Sequence, residues 1–87
     1  MNRFSIKKEL SALIVDAKKL GLAEADVVTA TEFLAKFEYG LCFDTVLTQL
    51  YEYNIPINTG FYTAVENMAK VLGLPKSEFK YMAALIK

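Results

Sequence analysis

The amino-acid sequence predicts an all-α protein, a compact bundle of about five short helices that forms a single domain over residues 1–87. Apolar residues recur at spacings of three and four along almost the whole chain, which is typical of helices that each bury one stripe. No segment alternates apolar and polar residues over the length of a strand. Glycine and proline residues separate the stripes, so the predicted connections are about two to five residues long.

The first two predicted helices are bounded by capping residues and glycines. The first carries an apolar stripe over residues 6–20, with Ser5 as the predicted N-cap and Gly21 at the position following the C-cap. We expect Gly40 to end the second helix, because glycine adopts the left-handed conformation without steric cost. The apolar stripe of this second helix consists of Val27, Ala30, Phe33, Leu34 and Phe37.

The third predicted helix runs from about residue 41 to residue 54. Pro56 stops it, because proline disfavours helical geometry in the residue that precedes it. Its predicted core face consists of Phe43, Val46, Leu47 and Leu50.

The last two predicted helices lie between Asn58 and the end of the sequence. Either Asn58 or Thr59 opens the fourth helix, and Gly73 closes it. Its stripe consists of Phe61, Val65, Met68, Ala69 and Leu72. Pro75 suits the first turn of a fifth helix. The stripe of that helix consists of Phe79, Met82, Ala83 and Ile86.

The sequence lacks the side chain that most often serves as a general base and as a metal ligand. It contains no histidine, and its single cysteine, Cys42, cannot form a thiolate zinc site. We interpret Cys42 as a small buried apolar residue. Asp44 and Glu52 share a helix face but lie about 12 Å apart along the axis, too far to flank one bond. The four glycines stand far apart, so they do not form a glycine-rich phosphate-binding loop. We therefore expect that the protein is not an enzyme and that it binds neither a metal ion nor a cofactor.

Two further classes of function are disfavoured. The longest strongly apolar run, residues 12–15, is far shorter than the ~20 residues that span a bilayer, and no signal-peptide core follows residues 1–8. We therefore expect a cytoplasmic protein that does not bind membranes. The third predicted helix contains no lysine or arginine, which argues against direct binding of nucleic acid.

Charge is unevenly distributed although the formal net charge is zero. Residues 1–20 carry five basic and two acidic side chains, and residues 55–87 carry four and two. Residues 21–54 carry six acidic side chains against Lys36 alone. We expect this middle segment to repel nucleic acid and to attract a basic partner.

One stripe of the third predicted helix combines acidic and aromatic residues. Asp44, Thr48, Tyr51 and Glu52 fall together on a helical wheel, away from the predicted core face. Tyrosine is common at binding hot spots, and carboxylates speed the encounter with a basic partner. The alternative is that the tyrosines close the edge of the bundle with their hydroxyl groups in water.

The central part of the sequence resembles the motif of MafI-type immunity proteins. Residues 38–44 read EYGLCFD and residues 49–57 read QLYEYNIPI, where that family has an E-Y-G-L-A segment followed by Q-L-Y-E-Y-D-I-P-I. Residues 17–22 and 72–74 are also similar to the family. The departures from the family pattern are Cys42, Asn54 and the entry to the fourth helix at residues 58–60.

The resemblance implies an immunity protein that binds and neutralises a cognate toxin domain in the bacterial cytoplasm. Such toxins belong to polymorphic or contact-dependent growth inhibition systems, and those partnered with MafI-like proteins are often EndoU-type ribonucleases. The expected mechanism is that the protein, a monomer or weak dimer, covers the RNA site of the toxin. The predicted contacts are Glu38, Tyr39, Asp44, Thr48, Tyr51 and Glu52. The alternative is a small helical adaptor or regulator that binds an ordinary cellular protein.

Overall fold

The computed structural model describes the backbone of residues 3–87 and the side chains from Ile6 onward, and it confirms the all-α class. The α-helices are α1 (Arg3–Leu20), α2 (Glu24–Ala35), α3 (Tyr39–Glu52) and α4 (Thr59–Val71). Two short 3₁₀ helices follow, η1 (Lys76–Glu78) and η2 (Lys80–Leu85). The helices form a bundle in which α2 and α3 make the most extensive helix–helix contact.

Helix α3 contributes the central part of the core. Five of its apolar residues lie on one face, as the spacing predicts, and each of these is less than 2% exposed. They are Cys42, Phe43, Val46, Leu47 and Leu50. The buried residues of α1 and α4 complete the same cluster: Leu10, Leu13, Ile14, Ala17, Phe61, Val65, Met68 and Ala69. One polar contact joins α3 to α2, where Gln49 donates a hydrogen bond of 3.0 Å to a carboxylate oxygen of Asp26.

All four α-helices end in the same backbone motif, in which one residue adopts positive φ. These residues are Gly21, Phe37, Asn54 and Gly73, with φ of 125°, 61°, 53° and 73°. In each case the next residue donates its N–H to the carbonyl five residues earlier, at 2.8–2.9 Å. This is the Schellman motif, which satisfies carbonyls that the helix end would otherwise leave unpaired.

Three of the predicted helix boundaries are confirmed, two predicted boundary residues are wrong, and α3 spans Tyr39–Glu52 where residues 41–54 were predicted. Gly21 and Gly73 close their helices as predicted, and Asn58 is the N-cap of α4, accepting a 2.7 Å hydrogen bond from the N–H of Phe61. Ser5 is not the N-cap of α1, because the helix begins two residues earlier. Gly40 does not end α2 but lies within the first turn of α3.

Phe37 takes the role predicted for Gly40, and it does not belong to the core stripe of α2. The helix ends before Phe37, whose side chain is 66% exposed. The stripe analysis assumed that helical geometry continued to this residue. The left-handed turn at Phe37 instead rotates the ring away from the core, because positive φ breaks the helical periodicity.

The C-terminal segment packs on the bundle as two 3₁₀ helices where one further helix was predicted. Its buried residues are Phe79, Met82 and Leu85, which follow the spacing of three that places residues on one side of a 3₁₀ helix. Ala83, predicted to be buried, is exposed. The backbone of Ile57 holds the end of this segment, donating to the carbonyl of Leu85 at 2.9 Å and accepting from the N–H of Lys87 at 3.0 Å.

Core truncation in α3 is expected to destabilise the free protein far more than truncation on its outer face. Leu50→Ala should cost about 2–5 kcal/mol, because it removes buried methyl groups and leaves a cavity. Asp44→Ala should cost less than about 0.5 kcal/mol, since Asp44 is exposed. Urea titration of the two variants measures this difference. Equal losses in the free energy of unfolding would contradict the assignment of Leu50 to the buried face of α3 and of Asp44 to its exposed face.

Two glycines with open space around them test the backbone assignments. A Cβ atom at Gly40 or at Gly73 would meet no atom within 4 Å, but only Gly73 has positive φ. Gly40→Ala should therefore raise the free energy of unfolding by about 0.4–1 kcal/mol, whereas Gly73→Ala should lower it by at least about 1 kcal/mol. Thermal or urea unfolding of the pair is the measurement. Destabilisation by Gly40→Ala would contradict the helical assignment of this residue.

Candidate functional site

Four of the six predicted contact residues lie together on the outward face of α3. Asp44, Thr48, Tyr51 and Glu52 are all exposed, because the opposite face of the same helix is buried in the core. The hydroxyl of Thr48 approaches a carboxylate oxygen of Asp44 at 3.5 Å. We call these four residues the α3 stripe.

The C-terminal segment adds Tyr81 to the α3 stripe. The rings of Tyr51 and Tyr81 meet edge to face, with centroids 4.9 Å apart and an interplanar angle of 82°. Aromatic pairs prefer this geometry because the positive edge of one ring faces the negative face of the other. Thr48, Tyr51, Glu52 and Tyr81 line a shallow depression of about 270 Å³. The stripe therefore has a concave aromatic part with an acidic edge.

The chemical environment of Tyr81 reflects this position. Burial raises the pKa of its phenol above the usual value, and the carboxylates of Asp44 and Glu78 raise it further, while the hydroxyl of Thr48 acts in the opposite direction. The phenol is therefore protonated at neutral pH and can donate a hydrogen bond to a bound group. No feature of the local sequence indicates Tyr81, since it follows Tyr51 by thirty residues and only tertiary packing brings the two together.

The remaining two predicted contacts, Glu38 and Tyr39, lie at the N-terminal end of α3. Glu38 is exposed, and its carbonyl accepts a 2.9 Å hydrogen bond from the N–H of Cys42. Tyr39 is half-buried against the core and lies about 140° from Asp44 around the helix, so it does not join the α3 stripe. Its ring instead contacts the exposed ring of Phe37, with centroids 6.3 Å apart.

Exposed apolar side chains concentrate on and beside α3. Phe37, Leu41, Tyr51 and Tyr53 are four of the six large apolar residues that the described part of the chain exposes. Leu41 lies one turn before the α3 stripe and is 51% exposed. Sequence reasoning missed Leu41 as a candidate, although the helical wheel already places it opposite the core face. It also placed Phe37 in the core.

A second surface feature lies between α1 and α4. Two adjacent depressions of about 350 and 250 Å³ share Asp16 and run along the contact of these helices. They are larger than or similar in size to the depression at Tyr81, but none of the predicted contact residues lines them. Charged or amide side chains such as Glu9, Lys19 and Asn67 line them together with small or apolar residues such as Gly60 and Ala64.

The described residues offer little reactive chemistry. Burial raises the pKa of the Cys42 thiol to about 11, so the sulfur is a neutral thiol at physiological pH and a poor nucleophile. Within residues 3–87 no group of three or more cysteine, aspartate or glutamate side chains is placed to hold a metal ion. In the same residues, no helix combines the length and the apolar character that crossing a bilayer requires. The α3 stripe can therefore contact a partner through its carboxylates, its phenol groups and its apolar surface.

Comparisons of the chain with known protein families, with curated proteins and with solved structures find no match.

Proposed function

We propose that the protein is an immunity protein that binds a cognate bacterial toxin domain in the cytoplasm and neutralises it without any catalysis of its own. The observation that carries the proposal is the outward face of α3, which presents apolar and acidic side chains together. Helix α3 contains no basic residue, and it exposes Asp44 and Glu52 beside Leu41 and Tyr51. Apolar anchors with charged neighbours are typical of protein-binding surfaces.

The resemblance of residues 38–57 to MafI-type immunity proteins gives the proposal its partner. The similar segments, residues 38–44 and 49–57, lie at the two ends of α3 and in the turn that follows it, so they overlap the surface that the geometry favours. We propose an EndoU-type ribonuclease domain of a contact-dependent inhibition or other polymorphic toxin system as the partner. A site that holds RNA phosphates is basic, and an acidic helix face is complementary to it. Binding there would block the RNA site.

The motif also contains positions with a structural explanation. Asn54 adopts positive φ at the end of α3, and Asn and Asp are the non-glycine residues that tolerate this conformation best. Replacement of the family's Asp by Asn therefore keeps the helix end intact. The structural role of this position makes it a poor candidate for a toxin contact, and our proposed contacts are the α3 stripe with Glu38 and Tyr39.

A helical adaptor that binds an ordinary cellular protein would use the same surface, and the identity of the partner separates the two functions. The experiment is co-expression with the product of the gene immediately upstream. An immunity protein should co-purify with that product at a fixed stoichiometry and should rescue cells from its toxicity. Absence of both binding and rescue would refute the immunity proposal and favour the adaptor.

Charge reversal on the α3 stripe should weaken toxin binding through electrostatics. Asp44→Lys combined with Glu52→Lys should slow association and abolish protection, and raised salt should slow association of the parent protein, because screening weakens steering. Stopped-flow binding at several salt concentrations measures both effects. The matched control is Glu9→Lys with Asp16→Lys, which makes the same change in net charge on the exposed face of α1. A control pair that abolishes binding while the stripe variant binds normally would place the interface between α1 and α4.

Truncation of Tyr51 should act on dissociation rather than on association. Its ring rests against Tyr81 and remains 49% exposed, so it can provide an anchor that a partner buries. Tyr51→Ala should weaken binding by about 2 kcal/mol or more, mainly through a faster off-rate with little dependence on salt. Tyr53→Ala is the control, because Tyr53 is an exposed tyrosine at the C-cap of the same helix and off the stripe. Equal effects of the two variants would argue against a specific anchor at Tyr51.

A further inference from the structure

Three of the four α-helices end with a residue type that tolerates positive φ, and one does not. The residue with positive φ is glycine at the ends of α1 and α4 and asparagine at the end of α3, the residue types that adopt this conformation at the lowest cost. At the end of α2 it is Phe37, with φ of 61°. A bulky side chain in this region strains the backbone.

The residue that follows Phe37 also differs in type from its counterparts at the other three helix ends. The other three Schellman motifs place an apolar residue at this position, namely Leu22, Ile55 and Leu74, each at least half-buried. Such an apolar contact commonly accompanies the motif. At the end of α2 the position is held by Glu38, which is exposed. Two consecutive residues of the α2–α3 connection therefore do less for the fold than their counterparts at the other helix ends.

The ring of Phe37 also gains little burial in exchange for the strain. It is 66% exposed, the highest value among the exposed large apolar residues of the described chain. Two groups support it on the protein itself. The ammonium nitrogen of Lys7 lies 5.0 Å from the centre of the ring, and the ring of Tyr39 meets it at an angle of 80°. These two contacts leave most of the surface of the phenyl ring facing outward.

We infer that Phe37 is an anchor that inserts into an apolar pocket of the basic toxin domain, and that its strained conformation is retained for binding. This inference rests on the proposed function. The occupant is the toxin domain because Phe37 adjoins Glu38 and contacts Tyr39, both proposed contacts, while the exposed carboxylates of the α3 stripe favour a basic partner. The partner pocket is accordingly apolar. It receives the ring from the side that Lys7 leaves open.

On this proposal Phe37 and the α3 stripe are two separate parts of one interface, with Phe37 just before the N-terminal end of α3 and the stripe on its outward face. The helical rise places Tyr39 and Tyr51 about 18 Å apart along α3. That separation fits within a standard interface, which buries about 800 Å² on each partner. One toxin domain can therefore contact both parts, with the acidic stripe steering association and Phe37 slowing dissociation.

The test is Phe37→Asn, which removes the ring and leaves a residue suited to positive φ. Affinity for the product of the upstream gene should fall by about 30-fold or more. The melting temperature of the free protein should be unchanged or raised by about 2–6 °C, because the backbone strain is relieved. Val28→Asn is the matched control, since Val28 is 48% exposed on α2 and should bind like the parent.

Three results would overturn the inference. If Phe37→Asn binds as tightly as the parent, Phe37 is not an anchor, although the proposed function stands. If Phe37→Asn lowers the melting temperature, the ring serves the fold and its conformation is not retained for binding. If the parent itself fails to bind the upstream product, the proposed function fails first and the inference fails with it.

Discussion

Burial of one face of α3 is the constraint on which the rest of the structure depends. Phe43, Val46, Leu47 and Leu50 are almost completely removed from water at the centre of the bundle, and the other helices pack around them. Because these residues fix the rotation of α3 about its axis, they also fix which residues face outward. The acidic and aromatic stripe is exposed for the same reason that the core is filled. Stability and candidate site are therefore two consequences of one helix orientation.

The two ends of α3 are built differently, and we infer that the difference serves binding. At the C-terminal end, Asn54 closes the helix at low conformational cost, and the backbone of Ile57 binds the last residues of the C-terminal segment, which carries Tyr81 to the stripe. At the N-terminal end, Phe37 closes α2 with a residue that the conformation disfavours. A connection optimised for stability alone would have glycine or asparagine there. Natural proteins tolerate such costs mainly where binding or catalysis requires them.

Local sequence patterns were sufficient for the phase of α3 and insufficient for the ends of helices. The spacing of Phe43, Val46 and Leu50 predicts the buried face, and it thereby predicts the exposure of Asp44 and Glu52. The choice between Gly40 and Phe37 as the left-handed residue depends on where α3 must begin in order to pack, which propensity alone does not encode. Tyr81 was unpredictable for a related reason, since the C-terminal segment folds as 3₁₀ helices whose position is set by tertiary contacts.

The most direct measurement of whether α3 is the binding face is an NMR titration. The isotope-labelled protein would be titrated with the product of the upstream gene, and the perturbed backbone and aromatic signals would be mapped on the structure. We predict that the largest perturbations fall in residues 37–53 and at Tyr81, with α1 and α4 little affected. Perturbations confined to the groove between α1 and α4, around Asp16 and Ala64, would contradict the assignment of the interface to α3.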